Sequence, residues 1–336
     1  MGEKICIIGA GAWGTAISKL LSDNGHDVTV WCRRASQAEE LSRLHENRER
    51  FPGVPLPENI KYTGDIGSAL AGSDIAVFVV ASPYIRTMAE KAAPYIESRC
   101  TVVNCIKGIE DSSLKLMSQV LEEVLGRDDI VCLSGPSHAE EVVIGMPTAA
   151  VAASKSKEAA EYIQNVFMSE VFRVYTSPDI TGVELGAALK NVIAIAAGME
   201  DGIGYGDNIK AAIITRGIHE IVRLGKEMGA YPDTLFGLSG IGDLIVTCES
   251  RHSRNRTAGY LIGKGYKLPQ VLEEVGQTVE GVNSAKAAKM LADRYGVEMP
   301  IVEQMNEVLF KGKEPMEAGK DLMHRGKRQE SSALKW

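Results

Sequence analysis

The chain opens with an apolar strand that runs directly into a glycine-rich turn: Lys4-Ile5-Cys6-Ile7-Ile8, then Gly9-Ala10-Gly11-Ala12-Trp13-Gly14. A helical stretch from Thr15 to Asn24 follows, and then a second strand, Asp27-Val28-Thr29-Val30-Trp31-Cys32. Few arrangements constrain a fold more. Gly9 permits the tight turn, Gly11 lets a phosphate approach the backbone, and Gly14 lets the helix pack close to the strand. The helix N-terminus adds unpaired N–H groups pointing at the same spot, which suits a pyrophosphate. The expected opening is a βαβ dinucleotide-binding unit.

The second strand ends in Arg33-Arg34. NAD-selective sites usually carry Asp or Glu there, to accept hydrogen bonds from the ribose hydroxyls. Two guanidiniums instead suit a 2′-phosphate and the adenine face. NADP(H) is therefore the favoured cofactor; NAD(H) stays possible, because Arg also contacts an unphosphorylated ribose. A solvated pair opening the next helix is the plainer alternative.

Further strands are expected at 75–80, 101–106, 129–133, 149–153 and 171–175, near-continuous apolar runs that suit a parallel sheet buried on both faces. Helical segments at 84–96 and 114–125 complete a doubly wound pattern. Residues 51–64, with three prolines, read as a surface connection. After Tyr175 the pattern changes to amphipathic helices, at 180–198, 208–228, 281–295 and 301–309. The expected fold class is an α/β Rossmann-type nucleotide-binding domain (1–179) followed by an all-α substrate and catalytic domain (180–336). The tail from Arg325 to Glu330 reads as frayed and solvated.

At 336 residues two cores are affordable, and a formal charge of −7 argues against a general nucleic-acid or anionic-membrane binder. The longest apolar run, near 180–199, is interrupted by Glu184, Lys190 and Asn191, so a membrane span is not expected. Six cysteines show no paired metal spacing, so no metal site is expected and buried free thiols are. With a first strand starting within a few residues of Met1, a cytoplasmic location is expected.

Lys190 is the leading catalytic candidate. Its helix is apolar on almost every face, so the ammonium must be buried, and its helical neighbours Gly186, Ala187, Ala194 and Ala197 are small enough to leave room for a substrate. The alternatives are snorkelling to solvent or pairing with Glu184. Lys107 follows a strand at the carboxyl edge where open α/β sheets bind ligands, and Ser134-Gly135-Pro136-Ser137 follows another. Ser137 is expected to cap a helix and offer its hydroxyl. His138 lacks a supporting carboxylate and is read as a bystander. Ser253-Arg254-Asn255, just before a helix, make a compact anion site. Asp243 is suited to sugar-like hydroxyls. Helix capping by Asp243 and plain exposure of Arg254 remain open.

Taken in order, several of these stretches resemble one family, the bacterial-type NAD(P)-dependent glycerol-3-phosphate dehydrogenases. The likeness runs from about residue 4 to about residue 320. It rests on Ile8–Ala16, Lys107-Gly108, Ser134–Ser137, Glu184–Gly198, Gly240–Leu244, Ser253–Arg256 and Val279-Glu280-Gly281. The resemblance implies reversible reduction of dihydroxyacetone phosphate to sn-glycerol 3-phosphate, a phospholipid precursor, and it admits a homodimer. It implies Lys190 as proton donor and acceptor. Lys107, Gly135, Ser137, Asp243, Ser253, Arg254 and Asn255 are implied as substrate contacts, with Asn191 and Thr247 as polar groups nearby. Ala12, Trp13, Arg33, Arg34, Lys107, Ala139, Arg254, Val279 and Glu280 are implied as cofactor contacts, beside Gly9, Gly11 and Gly14. Two departures stand out: Ala12 replaces a frequent Ser, and His138 a frequent Phe. A β-hydroxyacid dehydrogenase acting on a carboxylate, and a non-catalytic nucleotide sensor, are the rival readings.

Overall fold

The computed structural model describes residues 2–327 and 329–330. Eight strands form one sheet: β1 (Lys4–Ile8), β2 (Asp27–Trp31), β3 (Lys61–Thr63), β4 (Ile75–Phe78), β5 (Thr101–Asn104), β6 (Val131–Ser134), β7 (Thr148–Ala153) and β8 (Phe172–Ser177). Their spatial order is β3-β2-β1-β4-β5-β6-β7-β8. Alternate residues of β1 and β4 feed separate cores on the two faces of the sheet. Ile5, Ile7, Ile75 and Val77 pack on one side, and Cys6, Ile8, Ala76 and Phe78 on the other. That explains the unbroken apolar runs in the sequence.

Two expectations need correction. The sheet is parallel from β3 to β6, but β7 runs antiparallel to β6, with β8 parallel to β7. An antiparallel neighbour needs only a return connection, not a full crossover. The 51–64 segment is not wholly a surface connection, since Phe51, Leu56 and Ile60 are buried and Lys61–Thr63 is the edge strand β3. Its prolines all precede the strand, where they forfeit no ladder bond. Helices at Lys157–Phe167, Leu268–Val275 and Pro315–Met323 lie outside the helical segments expected from the sequence. In the tail, residues 325–327 and 329–330 are exposed and outside any helix, in line with the expectation; Arg325 pairs with Glu298 at 3.2 Å at the surface, and Arg328 lies outside the described residues.

Past β8 the described chain is helical. Its axis is the Ile180–Ile203 helix, which is long and apolar enough to cross a bilayer but has 94% of that stretch buried inside the protein. Asp179 starts it by accepting from the Gly182 N–H at 2.8 Å. The Arg254–Gly263 helix lies against it backbone to backbone. A Cβ on Gly198 would stand 2.0 Å from the Arg256 carbonyl oxygen, and one on Gly259 would stand 2.0 Å from that of Ile195. This contact fixes where Arg254 and Asn255 sit relative to Lys190. Gly198→Ala should therefore cost about 1–3 kcal/mol of stability, as forced separation of packed elements does. A melting temperature equal to that of the unsubstituted protein would contradict the close approach.

Candidate active site

Lys190 is 5% exposed and neither snorkels nor reaches Glu184. Its ammonium forms an ion pair with Asp243 Oδ1 and donates to Thr247 Oγ1 at 2.7 Å. Asp243 opens the Asp243–Glu249 helix, so Thr247 stands one turn further along the same face. The other carboxylate oxygen of Asp243 accepts from Lys107 Nζ at 2.7 Å, and Lys107 also donates to the Gly135 carbonyl at 3.1 Å. The structure thus makes Asp243 the shared counter-ion of two lysines, whereas its sequence position suggested an acceptor for ligand hydroxyls. Burial pulls the Lys190 pKa down to about 7; Asp243 raises it, and the nearby Lys107 lowers it. Burial opposes ionisation of Asp243, but Lys107 and Lys190 outweigh it and hold that carboxyl below the usual range.

A cleft of about 1000 Å³ opens above this cluster at the carboxyl ends of the strands. Lys107, Ser137, Ala139, Lys190, Asn191, Thr247, Ser253, Arg254, Asn255 and Glu280 all line it, as do Gly11, Ala12 and Trp13. Ser253 Oγ accepts from the Arg256 N–H at 3.1 Å and so starts the helix that carries Arg254 and Asn255. Asn255 is held between Asn191 Oδ1 and the Gly281 N–H, each at 2.9 Å. Arg254 is exposed and donates to the Thr278 carbonyl at 3.1 Å. Glu280 opens the Glu280–Tyr295 helix and accepts from Ser82 Oγ at 2.6 Å, joining the helical part to the sheet edge.

Other expected residues lie beside or behind the cleft. Ser137 does not cap a helix; its hydroxyl donates to the Gly135 carbonyl at 3.0 Å, and His138 takes the cap position without a side-chain bond. Gly135 contributes its carbonyl from below, and Val279 is buried. Gly9 adopts φ +126°, which glycine tolerates, and a Cβ there would stand 2.7 Å from the Val79 carbonyl oxygen. Gly14 faces the Gly9 carbonyl so closely that a Cβ would stand at 1.9 Å. Arg33 and Arg34 are exposed past the end of β2, with Arg34 held by Glu49 at 3.4 Å. Glu49 also pairs with Arg50 at 2.9 Å, and Arg50 lines the cleft although nothing in its spacing marked it out. Only the fold shows why: buried Asn47 donates to Thr15 Oγ1 at 2.8 Å and ties this loop to the glycine turn.

The cleft fits a dinucleotide. A Cβ on Gly11 would meet nothing within 4 Å, so the backbone at the start of the Ala12–Asp23 helix faces open space. A somewhat larger cavity, about 1130 Å³, lies among the helices away from the glycine turn and strand ends. Volume alone does not mark the chemistry; the lysine–carboxylate cluster does.

Sequence profiles of the NAD-dependent glycerol-3-phosphate dehydrogenase N-terminus and C-terminus match residues 4–160 and 179–320. The chain belongs to this family. It is 52% identical to the glycerol-3-phosphate dehydrogenase [NAD(P)+] of Agathobacter rectalis, over 99% of each chain. Against the Bacillus subtilis enzyme of the same name it is 51% identical, over 99% of this chain and 97% of the other. The crystal structure of glycerol-3-phosphate dehydrogenase from Coxiella burnetii superposes with a TM-score of 0.93 at 33% identity, covering 96% of this chain and 99% of that one.

His138 also lines the cleft. Its ring is 6.3 Å from that of His252, and its Nε2 is buried with no partner among the described residues. Burial and the neighbouring Lys190 and Lys107 lower its pKa, so the ring stays neutral around physiological pH.

Proposed function

We propose that Lys190 is the acid–base group of this glycerol-3-phosphate dehydrogenase, that the Ser253–Asn255 helix start holds the substrate phosphate, and that Arg33 and Arg34 favour NADPH over NADH. The chain interconverts dihydroxyacetone phosphate and sn-glycerol 3-phosphate with NAD(P)(H), an activity that supplies phospholipid synthesis. When bound, the reduced nicotinamide supplies the hydride.

In ketone reduction negative charge grows on the C2 oxygen. The Lys190 ammonium stabilises that charge and then gives up a proton to it; in the reverse direction the free amine takes the proton back. A pKa near 7 populates both forms close to neutrality, which suits a reversible enzyme. Asp243 keeps the desolvated ammonium from losing its proton altogether, and Thr247 fixes its direction. Arg254, Ser253 and Asn255, with the first N–H groups of their helix, offer a phosphate a convergent set of donors. Lys107, Gly135, Ser137 and Asp243 complete the proposed substrate side.

For the nucleotide, the Gly9–Gly14 turn with Ala12 and Trp13 takes the pyrophosphate end. Lys107, Ala139, Arg254, Val279 and Glu280 surround the nicotinamide end. On this reading residues 1–179 form the nucleotide domain and 180–336 the catalytic domain, with residues 1, 328 and 331–336 outside the described residues. A cytoplasmic enzyme fits the six unpaired, buried thiols.

The observation that carries the reading is the buried, carboxylate-paired lysine on the floor of the cleft, between the glycine turn and the phosphate-binding helix start. Lys190→Met should cut NADPH oxidation with dihydroxyacetone phosphate by at least about a hundredfold, the usual worth of a positioned proton donor. Nucleotide affinity should barely change. Near-normal turnover would remove Lys190 from the chemistry. Replacing Arg33 and Arg34 together with Ala should lower the preference for NADPH over NADH by about tenfold, the worth of a lost charge-assisted hydrogen bond. An unaltered ratio of kcat/KM values would refute their role.

A further inference from the structure

Glu184 lies on the helix that carries Lys190, six residues before it and so about 9 Å along the axis. It is 2% exposed and takes no part in the proton chemistry above. Its Oε1 accepts from Asn104 Nδ2 at 2.6 Å and from the Ser118 N–H at 2.9 Å; its Oε2 accepts from Ser118 Oγ at 2.5 Å. A side chain of the helical part therefore satisfies the first turn of the Met117–Leu125 helix in the nucleotide-binding part. Asn104 ends β5, and its Oδ1 accepts from the Ile106 N–H at 2.9 Å, so it shapes the turn that presents Lys107. Three donors from two elements thus converge on one carboxyl, and the chain leads on one side to Lys107 and on the other to Lys190.

We infer that Glu184 is a positioning residue: it locks the Lys190 helix to the end of β5, so that Lys190 and Lys107 meet over the same Asp243 carboxylate. The inference rests on the proposed role of Lys190, because what Glu184 positions is that amine. It acts through geometry. The groups that face Glu184 are Asn104 from β5, Ser118 and Glu122 from the Met117–Leu125 helix, and Cys132 from β6. Those that face Lys190 are Asp243, Thr247, Lys107, His138 and Cys248.

The two sets lead to a readout that a loss of packing alone would leave in place. Lys107 holds the Lys190 pKa down. If Glu184 is removed and Lys107 drifts from Asp243, the Lys190 pKa rises, its ammonium persists to higher pH, and the basic limb of ketone reduction moves up. The test follows kcat and, for the position of the basic limb, kcat/KM against pH for dihydroxyacetone phosphate reduction by NADPH, in the full-length enzyme and three variants. Glu184→Ala should lose at least about tenfold in kcat and carry its basic limb up by roughly half a pH unit or more. Glu184→Gln should bring back most of kcat and return the limb, because the amide oxygen still accepts from Asn104 and Ser118 while the Ser118 hydroxyl turns to accept from the amide. Ser118→Ala keeps the carboxylate and two of its donors, so it reads the same shift in smaller form even if Glu184→Ala does not fold. A lowered melting temperature with kcat and limb unchanged would overturn the positioning role. An unsubstituted enzyme whose kcat/KM shows no basic limb near neutrality would instead overturn the role of Lys190.

Discussion

One carboxylate shared by two ammonium groups beneath a cleft is the interaction on which the site depends. Asp243 is 1% exposed, and its oxygens go separately to Lys190 and Lys107. Removing charges from water is costly, and a buried ion pair returns little net stability. Here the arrangement yields a lysine whose proton is loosely held: desolvation would strip it, and the carboxylate holds it back. Thr247 on the same helix face adds direction.

The architecture serves that cluster. The sheet supplies Lys107 from the end of β5 and the glycine turn from the end of β1, both at the carboxyl edge where ligands of open α/β sheets bind. The helical part supplies Lys190, Asp243 and the Ser253–Asn255 helix start from three different helices. Their relative placement is set by glycine-mediated backbone contact, as at Gly198 and Gly259, and by polar latches such as Glu280 with Ser82. Hydride transfer needs alignment to a fraction of an ångström, which rigid, closely packed elements provide better than loops.

Much of this was legible in the residues. The glycine turn, the alternation of strand and helix, and the change of pattern after Tyr175 follow from period and punctuation, because those signals are local. Lys190 stood out because an ammonium inside an apolar helix must have a reason to be there. What stayed hidden was long-range. The partner of Lys190 is 53 residues away, and nothing in the spacing separated Asp243 from Glu184, the nearer carboxylate. Arg50 enters the cleft only because Asn47 ties its loop to the glycine turn. The reversal between β6 and β7 was likewise invisible, since strands buried on both faces read alike in either direction.

The central claim is that burial leaves Lys190 readily deprotonated and that Asp243 offsets this in part. It is tested most directly by following the Lys190 ζ-nitrogen by NMR through a pH titration, in the unsubstituted protein and in Asp243→Asn. The predicted midpoint lies near 7 in the first. In the second it falls further, because the group that raised it is gone and the ammonium is lost at lower pH. A midpoint above about 10 in both, the range of an ordinary exposed lysine, would contradict the account.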